Sequence, residues 1–439
     1  MTQRPLTSTV GGRALGEDDL PTGQQMIVMI GKLDNYGIED AIVINQRCVD
    51  FGAFRSLFER RYVSSVKVTA TDQQQFGRAD PTTCSQFRAG DKAALNPLTG
   101  TPDPGTELAA GACVIGKYAT RKLKSSRNDP DAKGHEVVDQ STITRKPGVS
   151  VVDHVRMSVA SDGSTMATVG TRQERILKVG DKLTDRHAQK GCVAEKRRPE
   201  DMPCTRDGMT PDVCVSPDQF PSRMTVAKII EMLAGKLAAL KGEVIDLTPF
   251  RDLGDFAGEI MKHGYHWSCK EVMFDPITGR KMQNPVAIGI VDYAKLKHMV
   301  DDKAHSRREG PMLPVLQQPV EGRGRDGALR LGEMERDTLL AHGAAAVLND
   351  RLHKCSDGKE FVICGVCSEF AEALPDGADG KGTEAHIDDE WWYCRACAAM
   401  ADADTTAATA PVAKMALPQA MYLMKQYLGA MQIGLGFEK

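Results

Sequence analysis

Four cysteines, Cys364, Cys367, Cys394 and Cys397, form two Cys-x-x-Cys pairs separated by 26 residues. Each pair offers two soft thiolates to one tetrahedral ion, and a closed four-thiolate set is the chemistry of structural zinc. Disulfides or a redox pair could use the same residues. A four-thiolate site leaves no position for water, so a metal there holds structure and performs no reaction. Glu39 and Asp40 stand together just before the hydrophobic strand candidate Ala41–Asn45. Taken alone they read as solvated turn acids; one or two carboxylates beside phosphates are also what magnesium takes. Between Arg172 and Arg198 there are nine Lys/Arg against four Asp/Glu, an excess of five. This stretch is either a solvated charged loop or a lining that faces phosphates, with Lys182 and Lys190 flanking Arg186 and Gln189. Arg223 suits a neighbouring acid or a phosphate equally. His298 has the ordinary fate of a half-buried histidine as its alternative. Gly322–Arg330 carries Arg323, Arg325 and Arg330 among three glycines, a composition that lets backbone approach a ligand while arginines grip phosphates.

These residues need elements to hold them. Gln25–Ile30 and Ala41–Asn45 read as short buried strands, with a turn region at Gly31–Gly37. From 61 to 170, strand-like runs such as Tyr62–Thr69 and Cys113–Tyr118 alternate with Gly/Pro/Asp-rich loops, a β-rich insertion whose polar stretch Ser125–Lys146 reads as a loop or flexible tip. Val226, Ile229, Ile230, Leu233, Leu237 and Leu240 recur at helical spacing. Ser222 or Thr225 can cap that helix, and Gly242 can end it. A second helix is expected over Gly332–Leu352, with Met334, Leu339, Leu340, Ala344 and Leu348 on its apolar side. A third is expected over Leu417–Ile433, with Met421, Met424, Tyr427, Leu428 and Met431 on a face suited to core or partner. Met400–Ala413 reads as an Ala/Thr/Asp linker, and residues 1–22 as a polar extension that is mobile until docked.

The chain has 439 residues, 41% of them apolar and 26% charged, with a net charge of −3. That length makes two or three domains, and the balance is that of a globular protein. Any nucleic-acid surface is therefore local. No run approaches the roughly 20 apolar residues of a membrane span, and the N-terminus lacks the apolar core of a signal peptide. Eight of the twelve cysteines are scattered, which suits a reducing compartment: cytoplasm, a virion assembled there, or the nucleus.

Several segments together resemble one family. They are Gly23–Asn45 (GQQMIVMIGKLDNYGIEDAIVIN), Val179–Asp212 (VGDKLTDRHAQKGCVAEKRRPEDMPCTRDGMTPD), PSRMT at Pro221–Thr225 and HGY at His263–Tyr265. HMVDDKAHSRREGP at His298–Pro311, QPVEGRGRDGALR at Gln318–Arg330 and GRDGALRLGEMERDTLLAHGAA at Gly324–Ala345 complete the set. Their order and spacing resemble the C-terminal part of the second-largest, β-like subunit of multisubunit DNA-dependent RNA polymerases, from about residue 23 to the end. The cysteine knuckle resembles the archaeal, eukaryotic and large-virus branch. The lead-in Asn35-Tyr36-Gly37-Ile38 departs from the family pattern; the acids after it are kept.

The resemblance implies an α+β, β-rich fold in parts. These are an N-terminal extension (1–22), a hybrid-binding domain in two segments (23–60 and 171–330, the latter with a switch loop), a wall or flap (61–170), an anchor helix (331–355) and a zinc-bearing clamp module with a C-terminal helix (356–439). It implies that Lys182 and Lys190 reach the RNA 3′ end, that Arg223 contacts the nucleotide triphosphate, and that Asp40, with Glu39, helps hold a second, substrate-borne magnesium. Arg186, Gln189, His298, Arg323, Arg325 and Arg330 follow as nucleic-acid or nucleotide contacts. The primary Mg2+ belongs to an Asp-x-Asp-x-Asp motif on the largest subunit; Asp301-Asp302 and Asp388-Asp389 lack that spacing. One structural Zn2+ is expected per chain. The implied activity is DNA-directed RNA synthesis in a complex, with the chain inactive alone. Expected partners are the largest subunit, a polypeptide carrying the N-terminal half of the second-largest subunit, α-like assembly subunits, template DNA, nascent RNA and nucleoside triphosphates, with no membrane. The missing half reads as a split subunit, of viral or phage type. The alternative is a non-catalytic nucleic-acid-binding or assembly module that keeps the polymerase fold.

Overall fold

The computed structural model describes residues 2–33, 39–67, 72–88, 90–122, 135–144, 148–252, 254–373, 384–387, 390–400 and 412–437. The Asn35–Ile38 lead-in, most of the Met400–Ala413 linker and Asp388-Asp389 lie outside them. Two compact units divide after Ala304. Among the described residues no helix is long and apolar enough to cross a membrane.

The first unit is built on six strands: β1 (Gln24–Ile30), β2 (Ala41–Asn45), β3 (Lys182–Asp185), β4 (Lys190–Arg197), β5 (Val213–Val215) and β6 (Val286–Lys295). Their pairing runs β3-β4-β2-β5-β1-β6, and β6 pairs back to β3, closing a barrel. The β4–β2 and β5–β1 pairs are parallel and the others antiparallel. Strands buried on both faces need continuous apolar runs, and Ala41–Asn45 shows why. Ile42 and Ile44 join one cluster with Val28, Val213, Val215 and Val291. Val43, on the opposite face, joins Met29, Cys214 and Ile288.

The helix expected from Val226 forms over Val226–Lys241, with Gly242 left-handed at its end (φ 74°) and no side-chain cap from Thr225. Its buried face overlaps the expected one at Leu233 and Leu237 but is rotated away from it at the helix start. Val226 is 63% and Ile229 37% exposed, whereas Lys228, Glu231, Met232, Ala234, Gly235, Lys236, Leu237 and Ala238 are buried. Two glycines explain this. A Cβ on Gly235 would strike the Ile290 carbonyl of β6, and one on Gly289 would strike Met232. Backbone-to-backbone contact fixes the helix rotation about these glycines, and the inward charged residues find partners in the barrel.

The N-terminal extension, expected to be mobile, is packed. Thr7–Ser8 pairs in parallel with Ile245–Asp246, Thr9 caps a short helix at Val10–Ala14, and Arg13 lies 2.6 Å from Asp246. Thr7 and Ser8 are buried.

Residues 56–175 carry the expected β-rich insertion. Ser56–Val66, Thr165–Arg175, Ser150–Val159 and Glu107–Leu108 form one sheet. Asp72–Phe76, Lys117–Lys122, His135–Asp139 and Cys84–Gln86 form another. Tyr62, Leu108, Val114, Ile115, Val152 and Val169 pack between the strands. Part of the expected tip is thus a strand: His135–Asp139 pairs antiparallel with Lys117–Lys122. A buried ion pair, Lys92 with Asp139, secures the insertion, and Asp139 also accepts from the Arg88 and Ser141 amides and the Ser141 hydroxyl. Lys92→Met strands a carboxylate in the interior and should cost about 3–5 kcal/mol. Urea unfolding of the two forms measures this; a difference below about 1 kcal/mol would show that the pair does not hold the insertion.

In the second unit the expected Gly332–Leu352 helix is broken. Glu333–Ala341 and Ala345–Asn349 are separate helices, joined through Gly343 at φ 77°, and a widened, irregular helix continues over Asp350–Asp357. Gly343 takes the left-handed conformation that ends helices. Strand Gly358–Cys364 pairs with Val412–Pro418, and a three-stranded sheet joins Glu372–Ala373, Glu390–Tyr393 and Glu384–Ile387. The last helix spans Gln419–Ala430. It starts later than expected because Leu417 and Pro418 complete the strand.

Candidate active-centre face and metal centre

One end of the barrel gathers most of the residues singled out for catalysis. Asp40 directly precedes β2, and its carbonyl accepts from Cys192 of β4 (2.9 Å). A Cβ on Gly191 would lie 2.6 Å from that carbonyl, so glycine after Lys190 permits the approach. Gln219 donates to the Glu39 carbonyl (2.8 Å), and Arg223, ending the short helix Gln219–Arg223, forms an ion pair with the Asp40 carboxylate. Lys182 faces Cys192 across β3–β4. Its amide meets the His298 carbonyl at 3.4 Å, and its carbonyl accepts from Leu296. Glu39, Asp40, Lys182, Lys190, Arg223 and the His298 backbone therefore lie on neighbouring segments. Among the described residues the side chains of Lys182 and Lys190 have no hydrogen-bond or ion-pair partner. Arg223 and Asp40 hold each other while half exposed.

Arg186 and Gln189 are turned inward. The Arg186 guanidinium donates to Glu231 (2.7 Å), to the Thr7 carbonyl (2.9 Å) and to the Thr7 hydroxyl. Gln189 is buried and bonds Thr225. Both brace the turn between Lys182 and Lys190, at the expense of any outward contact in this structure.

That turn rests on charged residues that periodicity did not bring out. Lys228 is 1% exposed, donates to the Tyr293 hydroxyl (3.0 Å) and lies 3.0 Å from Asp185 Oδ2. The ammonium approaches that oxygen outside hydrogen-bond geometry, so the contact is ionic. Burial opposes the charge on Lys228, but Tyr293 and Asp185 more than offset it and raise its pKa. Burial likewise opposes ionisation of Glu231, yet His187 (2.5 Å) and Arg186 hold its pKa below the usual range. Asp292, buried near Glu231, is pushed up to about 7 by burial and keeps a bond from Gln25 (2.6 Å). The signal was available: Lys228 and Glu231 stand three residues apart inside an apolar helix, where unpaired charge is too costly to bury.

In the second unit, Gly322 (φ 97°) and Asp326 (φ 55°) shape the loop that holds Arg323, Arg325 and Arg330. His305 bonds the Gly327 carbonyl (2.5 Å) and Arg307 that of Asp326 (2.7 Å), while Arg325 and Arg330 project into solvent.

The four knuckle cysteines converge: their sulfurs all lie within 4.8 Å of one another, with Cys364–Cys397 at 3.8 Å and Cys367–Cys394 at 3.3 Å. Thiolates about 2.3 Å from one tetrahedral zinc stand about 3.8 Å apart, so the donor set fits. All four are free thiols, as a metal-binding set requires. The Val366 amide points at Cys364 Sγ (3.4 Å), and Ser368 turns left-handed (φ 58°) just past the first knuckle. Among the described residues this is the one cluster of its kind.

Residues 1–325 match the profile of the family described as RNA polymerase Rpb2, domain 6, and residues 327–439 that of RNA polymerase Rpb2, domain 7. DNA-directed RNA polymerase II subunit 2 of Arabidopsis thaliana is 39% identical over 374 residues, covering 84% of this chain and 31% of the relative. Subunit RPB2 of the Schizosaccharomyces pombe enzyme is 38% identical over 374 residues, with 84% and 31% covered. Subunit Rpo2 of Saccharolobus solfataricus is 34% identical over 368 residues, with 83% and 33% covered. The chain spans about a third of the length of these relatives.

Proposed function

The chain belongs to the RNA polymerase Rpb2 family, and from that membership we propose that it lines one half of the active-site cleft of a DNA-directed RNA polymerase. The carrying observation is the convergence of Glu39, Asp40, Lys182, Lys190 and Arg223 at one end of the barrel. The reaction is attack of the RNA 3′-hydroxyl on the α-phosphate of a nucleoside triphosphate, with release of pyrophosphate. Such transfer depends on placing charge where phosphate charge builds, and no protein nucleophile is needed.

Lys182 and Lys190, unpaired among the described residues, supply point charges toward the RNA 3′ end. Arg223 supplies a planar fork for the triphosphate. Its ion pair with Asp40 gives the site a resting state, because a magnesium-bound triphosphate brings a phosphate for the arginine and a cation for the aspartate. Asp40, beside Glu39, would help hold a substrate-borne magnesium, which would supply neutralisation of phosphate charge. His298, Arg323, Arg325 and Arg330 contact initiating nucleotide and hybrid, and Arg186 and Gln189 serve them indirectly through the turn they brace. Zinc at Cys364, Cys367, Cys394 and Cys397 holds a clamp module over 356–439. The wall corresponds to 61–170, the hybrid-binding domain to 23–60 and 171–330, and the anchor to 331–355. Exposed Met334, Leu340 and Val347 suit an α-like assembly partner; Met424, Tyr427 and Met431 suit the largest subunit.

The test is assembly. Mixed with a largest subunit and the portion of the second-largest subunit that its match to the relatives does not cover, the chain should form a stable complex that extends an RNA primer on a DNA template. Purified alone it should make no RNA. Synthesis by the isolated chain overturns the reading, and so does a complex that binds template yet never extends the primer, which is the behaviour of a non-catalytic module.

A further inference from the structure

The Val226–Lys241 helix turns two charged side chains inward, three residues apart, onto the turn between β3 and β4. Lys228 takes one end of that turn, with its ammonium between Asp185 Oδ2 and the Tyr293 hydroxyl, 3.0 Å from each. Glu231 takes the middle, receiving Arg186 at 2.7 Å and His187 at 2.5 Å. Asp185 Oδ1 in turn accepts the amides of His187 (2.9 Å) and Gln189 (3.0 Å). Within this frame Ala188 is left-handed at φ 60°. A residue with a Cβ holds that conformation only when its surroundings impose it. The strained residue lies two positions before Lys190, whose amide bonds the Ala188 carbonyl at 3.1 Å. The direction in which Lys190 leaves the turn therefore depends on Asp185 staying in place, and Asp185 depends on Lys228. A buried ammonium and carboxylate this close are costly to separate, so the pair tolerates little drift.

We propose that Lys228, supported by Glu231, is a positioning residue: it holds the Asp185–Gln189 turn in its strained form and so aims Lys190 at the reacting phosphates. This rests on the role given to Lys190 above, and the experiment separates the two.

Single-nucleotide addition is measured for the assembled polymerase in four forms: unaltered, Lys228→Met, Lys190→Ala and the double variant. Lys228→Met should slow addition about tenfold or more. On the Lys190→Ala background it should cost nothing further, because the group it aims is gone. Losses that multiply would assign Lys228 a general structural role and overturn the proposal, as would a normal rate for Lys228→Met. A normal rate for Lys190→Ala would instead overturn the role of Lys190. In that case amide exchange decides the positioning: His187 and Gln189 should exchange at least about tenfold faster in Lys228→Met, and unchanged exchange refutes it. Should Lys228→Met fail to assemble, Glu231→Gln enters the same cycle with the same outcomes.

Discussion

Lys190→Ala and Arg223→Ala should each enter the assembled polymerase normally and slow nucleotide addition by about 10²–10³-fold, a loss of roughly 2–4 kcal/mol in the transition state. The structure separates this effect from misfolding. Lys190 begins β4 at the surface, and its side chain has no partner among the described residues, so truncation removes no hydrogen bond or ion pair among them. Arg223 and Asp40 form their ion pair at 32% and 49% side-chain exposure. An exposed pair contributes less than about 1 kcal/mol to folding, so losing it leaves the barrel intact. The two variants should differ in one respect. If Arg223 serves the triphosphate as proposed, Arg223→Ala should raise the half-saturating nucleotide concentration, whereas Lys190→Ala should act mainly on the maximal rate. Pre-steady-state addition at limiting and saturating nucleotide measures both. Full rates for both variants would remove these side chains from the chemistry.

The strands around this site could be read from sequence because each obeys a local rule. Ala41–Ile44 is continuously apolar because both faces of the strand are buried, and the strand's bounds, Ala41–Asn45, come out as expected. The cysteine knuckles were equally legible, since ligand spacing is a local property. The Val226–Lys241 helix shows where that kind of reading stops. Its period and its Gly242 terminus were plain, but its orientation is set by Gly235 meeting β6, a contact with a strand some fifty residues away in sequence. Apolar periodicity alone places Leu233 and Leu237 correctly against the core, but Val226 and Ile229 are exposed and the inward Lys228 and Glu231 are not brought out by it.

The same limit explains the ends of the chain and the helix breaks. Residues 2–22 look like a mobile tail by composition, yet Thr7 completes the hydrogen bonding of Arg186, a partner 179 positions away. Gly343 interrupts a helix that its neighbours' periodicity would have continued. Arg186 and Gln189 look like phosphate contacts in a basic stretch, and only the tertiary structure shows Glu231, Thr7 and Thr225 using their hydrogen-bonding groups.

Removing zinc, or replacing Cys394 with serine, should unfold the end of the second unit while the first keeps its structure. Elemental analysis should find one zinc per chain, and loss of a single thiolate should destabilise the module by several kcal/mol, on the order expected where binding and folding are one event. The path of the damage can be followed. Cys364 ends the strand Gly358–Cys364, whose partner Val412–Pro418 leads directly into the last helix. Lys425 of that helix is buried, and its ammonium is held by the carbonyls of Ser368 (2.7 Å), just past the first knuckle, and Leu435 (2.8 Å), with Glu369 at 3.2 Å. Phe370 and Phe361 pack on Tyr422 of the same helix, with ring centroids 4.8 and 5.2 Å away. When the knuckle opens, Ser368 and Glu369 leave Lys425 with a buried, unpaired charge, which drives the helix off. Chelation should therefore expose Gln419–Ala430 to protease and change the fluorescence of Trp391 and Trp392, which adjoin the second knuckle, while the first unit, with the remaining tryptophan Trp267, resists digestion. A metal-free chain whose C-terminal helix stays protected would show that packing alone holds the module and that the four thiolates do not bind a structural ion.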